Sequence, residues 1–160
     1  MDEEYLRDAF TSFFKPAIRV MFNWRRMEEG GWPVELTVLK KPVDFSRWFL
    51  PWYIGPHGTE VGYATPEATP VALSHFPHTL TKLDGKRQEQ IRRLQTSFAS
   101  SRPPIQLCVP RYSLGSKGYL LLDNCHRMAA LAGSNLPFEI MAFTVLGPLD
   151  NRVLPDLYHY

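Results

Sequence analysis

Five consecutive residues, Asp123-Asn124-Cys125-His126-Arg127, carry the clearest chemistry in this sequence. They lie between an apolar, strand-like segment and an alanine-rich segment with the pattern of a short helix. If Asn124 is the N-cap of that helix, the backbone N–H groups of the next three residues have no partner within the helix. They then point outward at the positive end of the helix dipole. A helix start of this kind binds phosphate or another anion.

The side chains at this helix start predict two further properties. His126 and Arg127 would add hydrogen-bond donors, and Arg127 could hold a phosphate through two parallel hydrogen bonds. The helix dipole would stabilise the thiolate of Cys125 and make its sulfur more nucleophilic at neutral pH. The structural alternative is a capped helix with a hydrogen-bonded histidine, a surface arginine and an inert cysteine.

The elements that must position these residues follow from hydrophobic periodicity, capping residues and prolines. The expected helices cover residues 3–14, a second stretch from Pro16 to Gly30-Gly31, residues 84–98 with Asp84 as N-cap, and Met128–Ala132 closed by Gly133. The expected strands are Val34–Leu39, Ile105–Val109 with a structural Cys108, Tyr119–Asp123 and Phe138–Val145.

Aromatic residues are concentrated between 45 and 53, within a proline-rich passage that predicts an ordered, packed loop. Trp48 and Trp52 are therefore expected in the core or in the wall of a pocket for an apolar or aromatic substrate. His57 is expected in a surface turn, or on a loop that folds over that pocket. His75 and His78 lack further ligands of the kind that a metal site needs, so no metal site is predicted.

The order of motifs over residues 80–147 resembles the ParB/sulfiredoxin fold. The segment Asp123–Arg127 is similar to the Asp-Gly-x-His-Arg run of ParB-like proteins and to the Gly-Cys-His-Arg run of sulfiredoxins. Leu83-Asp84 before a helix, Pro103-Pro104-Ile105 at a strand start and Leu136-Pro137 before the last strand continue the sulfiredoxin order. The resemblance implies an α/β (α+β) fold, a small mixed sheet with flanking helices, here with an N-terminal helical, aromatic-rich extension.

The resemblance also implies roles for individual residues. Sulfiredoxins use the cysteine that matches Cys125 to attack a phosphorylated sulfinic acid, and the residues that match His126 and Arg127 to hold ATP phosphates. A basic residue early in the preceding helix contacts the nucleotide, which points to Arg87 or its neighbour Lys86. In small-molecule kinases of this fold, the aspartate that matches Asp123 suits magnesium contact or proton transfer.

Three positions depart from the sulfiredoxin pattern. Asn124 replaces the glycine before the cysteine, and Gln90 and Leu94 replace hydroxyl residues of the preceding helix. Asparagine tolerates a positive φ better than most residues, which preserves the turn but puts close ligand approach in question. These departures count against a literal sulfiredoxin and leave the predicted phosphate-binding role in place.

Length and composition indicate the domain organisation, the classes of partner and the cellular location to expect. The chain of 160 residues predicts one domain, divided into an N-terminal helical extension (1–32), an aromatic and proline-rich segment (33–80) and the resembling core (80–147). Eighteen Lys and Arg against 16 Asp and Glu give a charge of +2, and the chain has no room for the helix-turn-helix of partition ParB, so DNA is not an expected partner. Two cysteines, an acidic opening and short apolar runs predict a cytoplasmic protein without a membrane partner.

Three functions follow from these patterns. The first is a transferase of small-molecule biosynthesis that binds ATP or another nucleotide with Mg²⁺ at Asn124–Arg127 and phosphorylates or activates its substrate. The second is a nucleotide-independent enzyme that uses Cys125 and His126 as nucleophile or acid/base on a small molecule, aromatic ones included. The third is a non-catalytic module that binds a nucleotide or a protein, which an exposed aromatic patch would mark. The pattern predicts neither the substrate nor the oligomeric state.

Overall fold

The computed structural model describes residues 2–41 and 45–160, so residues 42–44 of the aromatic segment and Met1 of the acidic opening lie outside the described residues. The described residues form four α-helices and seven β-strands. The helices are α1 (Glu3–Phe14), α2 (Trp24–Gly30), α3 (Gly85–Ala99) and α4 (Cys125–Ala132). The strands are β1 (Val34–Leu39), β2 (Trp48–Ile54), β3 (Glu60–Val61), β4 (Thr69–Ala72), β5 (Ile105–Ser113), β6 (Tyr119–Leu121) and β7 (Phe138–Val145).

All seven described strands belong to one mixed sheet with the order β1-β7-β5-β6-β2-β3, and β4 pairs with β2. The longest pairing is parallel and joins β5 to β7, with Ile105 opposite Phe138 and Tyr112 opposite Val145. Strand β6 runs antiparallel to β5 and parallel to β2, while β1 runs antiparallel to β7. The predicted α+β class with a mixed sheet is confirmed.

The sheet buries both of its faces, because successive residues of a strand point to opposite sides. On β6, Leu121 packs in a core with α3 and α4, whereas Leu120 packs in a second core with α1, α2 and the C-terminal segment. Ala142 and Phe143 of β7 divide between the same two cores. The predicted central strand at Tyr119 therefore has helices over both faces.

Local capping explains where two of the helices begin. The carboxylate of Asp84 accepts a hydrogen bond of 3.1 Å from the backbone N–H of Lys86, so α3 begins as the sequence predicts. The helical stretch expected from Pro16 is wrong, because α2 begins only at Trp24, where the side chain of Asn23 accepts from the backbone N–H of Arg26 at 3.1 Å. Gly31, at φ 57°, closes α2 in the left-handed conformation that favours glycine.

The aromatic segment differs most from the prediction. The sequence predicts a packed loop there, whereas the structure forms strand β2. Strand β2 buries Trp48 and Leu50 against α3 and α4, and Phe49 packs on the opposite face. Pro51 lies where the pairing of β2 with β4 shifts register, which is where a strand accepts proline. Burial on both faces removes the alternation of apolar and polar residues by which a strand is recognised.

None of the helices in the part of the chain that the structure describes has the length and apolarity that a bilayer crossing requires. Both cysteines are free thiols. Cys125 is half-buried at the start of α4, whereas Cys108, for which the sequence predicts a structural role, is exposed on β5. On β5, Cys108 lies between half-buried Leu107 and buried Val109.

Candidate functional site

Asn124 precedes the first residue of α4 and has an unusual backbone conformation. This residue occupies the N-cap position with φ 60° and ψ 26°, the left-handed conformation that asparagine tolerates. Its side chain does not cap the helix: Nδ2 donates to the carbonyl oxygen of Cys108 at 2.7 Å, and Oδ1 accepts from Nη1 of Arg127 at 3.2 Å. Because the Asn124 side chain makes no capping hydrogen bond, it leaves the first-turn N–H groups of α4 without the partner that an N-cap side chain usually supplies.

A cleft of about 870 Å³ lies at this helix start, and we call it the α4 cleft. Its floor is the segment Asp123–Arg127, one wall is the outward side of α3, and the other wall comes from the loop after α1 and from β2. The residues that line it are Pro16, Ala17, Arg19, Val20, Pro51, Trp52, Gln90, Arg93, Leu94, Ser97, Leu122 and residues 123–127.

The charge in the α4 cleft is predominantly positive. Among its lining residues, Arg19, Arg93 and Arg127 oppose the single carboxylate of Asp123. Arg93 also makes an exposed ion pair with Glu89 at 2.6 Å, one turn earlier on α3. Exposed pairs of this kind are weak, so Arg93 can turn towards a stronger anion. Three guanidinium groups and an open helix start together make a site for an anion.

A second cluster lies beside the α4 cleft and consists of Trp52, Glu60, Arg87 and His126; we call it the Trp52 cluster. The guanidinium of Arg87 lies 4.2 Å from the centroid of the Trp52 ring. It donates to the Glu60 carboxylate through Nε at 2.8 Å and Nη2 at 3.3 Å, and it contacts Nε2 of His126 at 3.1 Å through Nη1. The rings of Trp52 and His126 are 5.0 Å apart, so one arginine joins α3, β2, β3 and α4.

Contacts within the Trp52 cluster determine the tautomer of His126 and lower its pKa. A guanidinium carries only donors, so Nε2 of His126 must accept, and the imidazole proton resides on Nδ1. Burial lowers the pKa of His126, the positive charge of Arg87 lowers it further, and Glu60 opposes the change in part. His126 is therefore a neutral imidazole at pH 7 that offers Nδ1–H as a donor.

The Cys125 thiol differs from the expected nucleophile. Burial raises its pKa, and the negative charge of Asp123 raises it further, against an opposing effect from Arg87. The sulfur packs against the core beneath α3 and α4, and this desolvation outweighs the helix dipole. The expectation of a stabilised thiolate is wrong, because Cys125 is a neutral thiol at pH 7.

The structure brings Trp52, Arg87 and the segment Asp123–Arg127 together, and it separates three other predicted site residues from them. Lys86 is exposed and donates its backbone N–H to the cap of α3. Trp48 is 1 % exposed in the core, 4.6 Å below the guanidinium carbon of Arg111. His57 is exposed in the tight turn that joins β2 to β3. None of these three is among the described residues that line the α4 cleft.

Sequence reasoning missed several groups of a neighbouring cleft of about 550 Å³, which we call the β3 cleft, Glu60 and Asp156 among them. It shares Arg19, Val20, Pro51 and Trp52 with the α4 cleft. Its other lining residues are Met21, Tyr53, Glu60, Val61, Gly62, Tyr63, Asp84, Arg87, Pro155 and Asp156. No local motif marks Glu60 or Asp156, because each gains its neighbours only when distant segments fold together.

Asp156 is the most enclosed carboxylate of the β3 cleft. It is 8 % exposed, and its carboxylate accepts a hydrogen bond from the hydroxyl of Tyr53. Burial raises the pKa of Asp156, whereas the Tyr53 hydrogen bond and the charge of His159 act in the opposite direction. A buried acid that faces a cleft is a common element of functional sites.

The donor set fits a phosphate better than a metal held by protein alone. Across the described residues, no group of three or more His, Cys, Asp and Glu side chains could hold a metal ion. Magnesium in nucleotide sites is held by one or two carboxylates together with the phosphates. Asp123, the carboxylate in the α4 cleft, is the residue that would supply such a contact.

Comparison of the chain with protein-family models, with curated proteins and with solved structures finds no match in any of the three.

Proposed function

We propose that the α4 cleft binds the phosphates of a nucleotide and that the protein transfers a phosphoryl group to a small molecule. One observation carries this proposal: the uncapped start of α4 and the side chains of Arg19, Arg93 and Arg127 border a single cleft. The resemblance of residues 80–147 to the ParB/sulfiredoxin fold supports the same site. The left-handed Asn124 keeps the backbone turn that glycine would adopt there.

Each residue of the site has a defined role in this proposal. The N–H groups of Cys125, His126 and Arg127 donate to phosphate oxygens, as at other helix starts. Arg127 leaves the oxygen of Asn124 and holds a phosphate through two hydrogen bonds. Neutral His126 donates Nδ1–H to the ligand without adding charge. Arg19 and Arg93 draw the anion into the cleft and neutralise the phosphates that lie further out.

The proposed reaction balances with a nucleoside triphosphate and a substrate hydroxyl. The hydroxyl oxygen forms a bond to the terminal phosphorus as the bond from that phosphorus to its bridging oxygen breaks. The nucleoside diphosphate leaves with the electron pair of the broken bond. Asp123 accepts the hydroxyl proton, or contacts the magnesium that accompanies the phosphates.

Two observations weigh against the other predicted functions. The raised pKa of Cys125 disfavours a mechanism in which its thiolate is the nucleophile, whether in a sulfiredoxin-like or a nucleotide-independent enzyme. A protein-binding module would need an exposed aromatic patch, yet Trp48 and Trp52 are 1 % and 5 % exposed. Both residues belong to the core, and Trp52 also lines both clefts.

Isothermal titration calorimetry with ATP, ADP and CTP, each with magnesium, tests this function. We expect one nucleotide to bind, and Arg127→Gln to weaken binding about tenfold to a hundredfold, since hydrogen bonds to charged groups contribute about 1.5–3 kcal/mol. Arg92→Gln is the matched control, because Arg92 is an exposed arginine on α3 that does not line the cleft. If no nucleotide binds, or if both variants weaken binding equally, the proposal is wrong. The two free thiols suit the reducing cytoplasm that we propose as its location.

A further inference from the structure

The β3 cleft contains a buried carboxylate without a cationic ion pair. Among the described residues, Asp156 forms no salt bridge with a lysine or arginine, and its carboxylate accepts from the Tyr53 hydroxyl and from its own backbone N–H. A carboxylate removed from water is costly unless it is paired, and its two oxygens have more acceptor positions than these two donors fill. Asp156 therefore retains capacity for a positively charged donor that enters through the cleft.

The basic groups near this carboxylate are already engaged or lie at the edge of the cleft. His159 contacts the carbonyl oxygen of Tyr63 through Nε2 at 2.6 Å and is not among the described residues that line the cleft. Arg87 is neutralised by two hydrogen bonds from its guanidinium to Glu60 and is covered by the Trp52 ring. Arg19 lies on the border that the two clefts share. The carboxylates of Glu60, Asp84 and Asp156 outnumber these two arginines, so the β3 cleft carries negative charge whereas the α4 cleft carries positive charge.

The walls of the β3 cleft are aromatic and apolar. Trp52 and Tyr53 line it from β2, Tyr63 lies in the segment after β3, and Val61 and Met21 add aliphatic surface. Rings of this kind attract organic cations through their electron-rich faces. A volume of about 550 Å³ is within the range of pockets that hold a single small organic molecule.

We infer that the β3 cleft binds a small organic amine, with the ammonium group at Asp156 and the organic part against Trp52 and Tyr63. As the phosphoryl acceptor, this amine rests on the proposed function, because its hydroxyl group would then face the α4 cleft. The binding of the amine itself depends only on the β3 cleft.

The two clefts are close enough for this arrangement. They share the wall formed by Arg19, Val20, Pro51 and Trp52. The charge of Asp156 also reaches Cys125, whose pKa it helps to raise, and Cys125 lines the α4 cleft. An amine at Asp156 and a phosphate at Arg127 would thus lie on either side of the Trp52 cluster, which separates the negative cleft from the positive one.

Three compounds of equal size and different charge test the amine site on the full chain. Phenethylamine is the cationic probe, 2-phenylethanol the neutral one and phenylacetate the anionic one, each titrated by protein NMR without nucleotide. We expect phenethylamine to bind at least about tenfold more tightly than the other two, with the backbone resonances of Glu60, Val61 and Tyr63 shifting. Equal binding of the three probes, absence of phenethylamine binding, or shifts elsewhere in the chain would overturn the inference.

A matched pair of variants connects this selectivity to one carboxylate. Asp156→Asn keeps the size of the side chain and can still accept from Tyr53, and we expect it to remove the preference for the amine. Asp8→Asn removes an exposed carboxylate from α1 and should leave the preference unchanged. If Asp156→Asn does not fold, the probe series on the unmodified chain still decides the question.

Nucleotide calorimetry on the same samples separates the two proposals. If a nucleotide binds and phenethylamine does not, the amine site is wrong and the phosphate site stands. If phenethylamine binds and no nucleotide does, the amine site stands and its role as a phosphoryl acceptor is wrong.

Discussion

The guanidinium of Arg87 donates a hydrogen bond to Nε2 of His126 across 3.1 Å, and this contact determines which nitrogen of the imidazole carries the proton. The two residues are 39 positions apart, on α3 and α4. The same guanidinium also pairs with Glu60 and stacks on Trp52, and these two contacts fix its position. Arg87 in turn orients the ring of His126. The cluster orients His126 and keeps it neutral.

The first prediction concerns the pKa of His126, which burial and Arg87 lower and Glu60 raises. Arg87→Gln removes the positive charge and leaves Glu60 beside the imidazole, so we expect the pKa of His126 to rise. Glu60→Gln removes the opposing charge, so we expect the pKa to fall further. Proton NMR titration of the imidazole resonances measures both changes. Exposed His57 is the internal control in each sample.

Opposite signs in the two variants are the essential result. A shift of the same sign in both, or a His126 pKa at the value of an ordinary exposed histidine in the unmodified chain, would mean that the Trp52 cluster does not form in solution. The protonated fraction of His126 at pH 6 follows directly from these values. A lowered pKa leaves His126 neutral at a pH where exposed histidines have begun to take up protons.

The second prediction concerns the two thiols. Burial raises the pKa of both thiols, but Cys108 is exposed, whereas half-buried Cys125 also faces the charge of Asp123, so iodoacetamide at pH 7.5 should modify Cys108 first. Asp123→Asn removes one of the charges that disfavour the thiolate and should speed alkylation of Cys125 without changing that of Cys108. Mass spectrometry of digested samples resolves the two sites. Faster alkylation of Cys125 than of Cys108 in the unmodified chain would contradict this prediction. It would mean that the helix start stabilises the Cys125 thiolate after all.

The third prediction concerns the backbone of Asn124. At φ 60°, asparagine is tolerated, glycine is favoured and a β-branched residue is strained by about 1–2 kcal/mol. We expect Asn124→Val to reduce the free energy of unfolding by at least this amount more than Asn124→Gly does. Both variants lose the hydrogen bond to the carbonyl of Cys108, so their difference isolates the backbone term. Urea denaturation measures it, and equal stability of the two variants would contradict the left-handed conformation.

The sequence predicts those parts of the site that are formed by residues close together in the chain. Asp84 caps α3, and the segment Asp123–Arg127 links β6 to α4, because capping and the change from strand to helix periodicity depend on a few adjacent side chains. The strand at Phe138–Val145 was equally clear, since its apolar run has the length of a buried strand.

The rest depends on contacts between distant segments. Arg87 meets Glu60 across 27 residues, and Tyr53 meets Asp156 across 103. No spacing rule connects such pairs, so neither Glu60 nor Asp156 stands out in the sequence. The direction of the Cys125 pKa was mispredicted for a related reason: the helix dipole is a local property, whereas the burial that outweighs it comes from packing between α4 and the core.

The most direct test of the phosphate site is a titration of the ¹⁵N-labelled protein with ATP and magnesium, followed through the backbone amide resonances. The proposed function predicts that the largest shifts fall on Cys125, His126 and Arg127, because their N–H groups would donate to phosphate oxygens. Inorganic tripolyphosphate should shift the same three resonances, since it carries the phosphates without the nucleoside. No change at these three amides while ATP is in excess, or changes confined to exposed basic residues such as Lys15 and Lys86, would contradict the account.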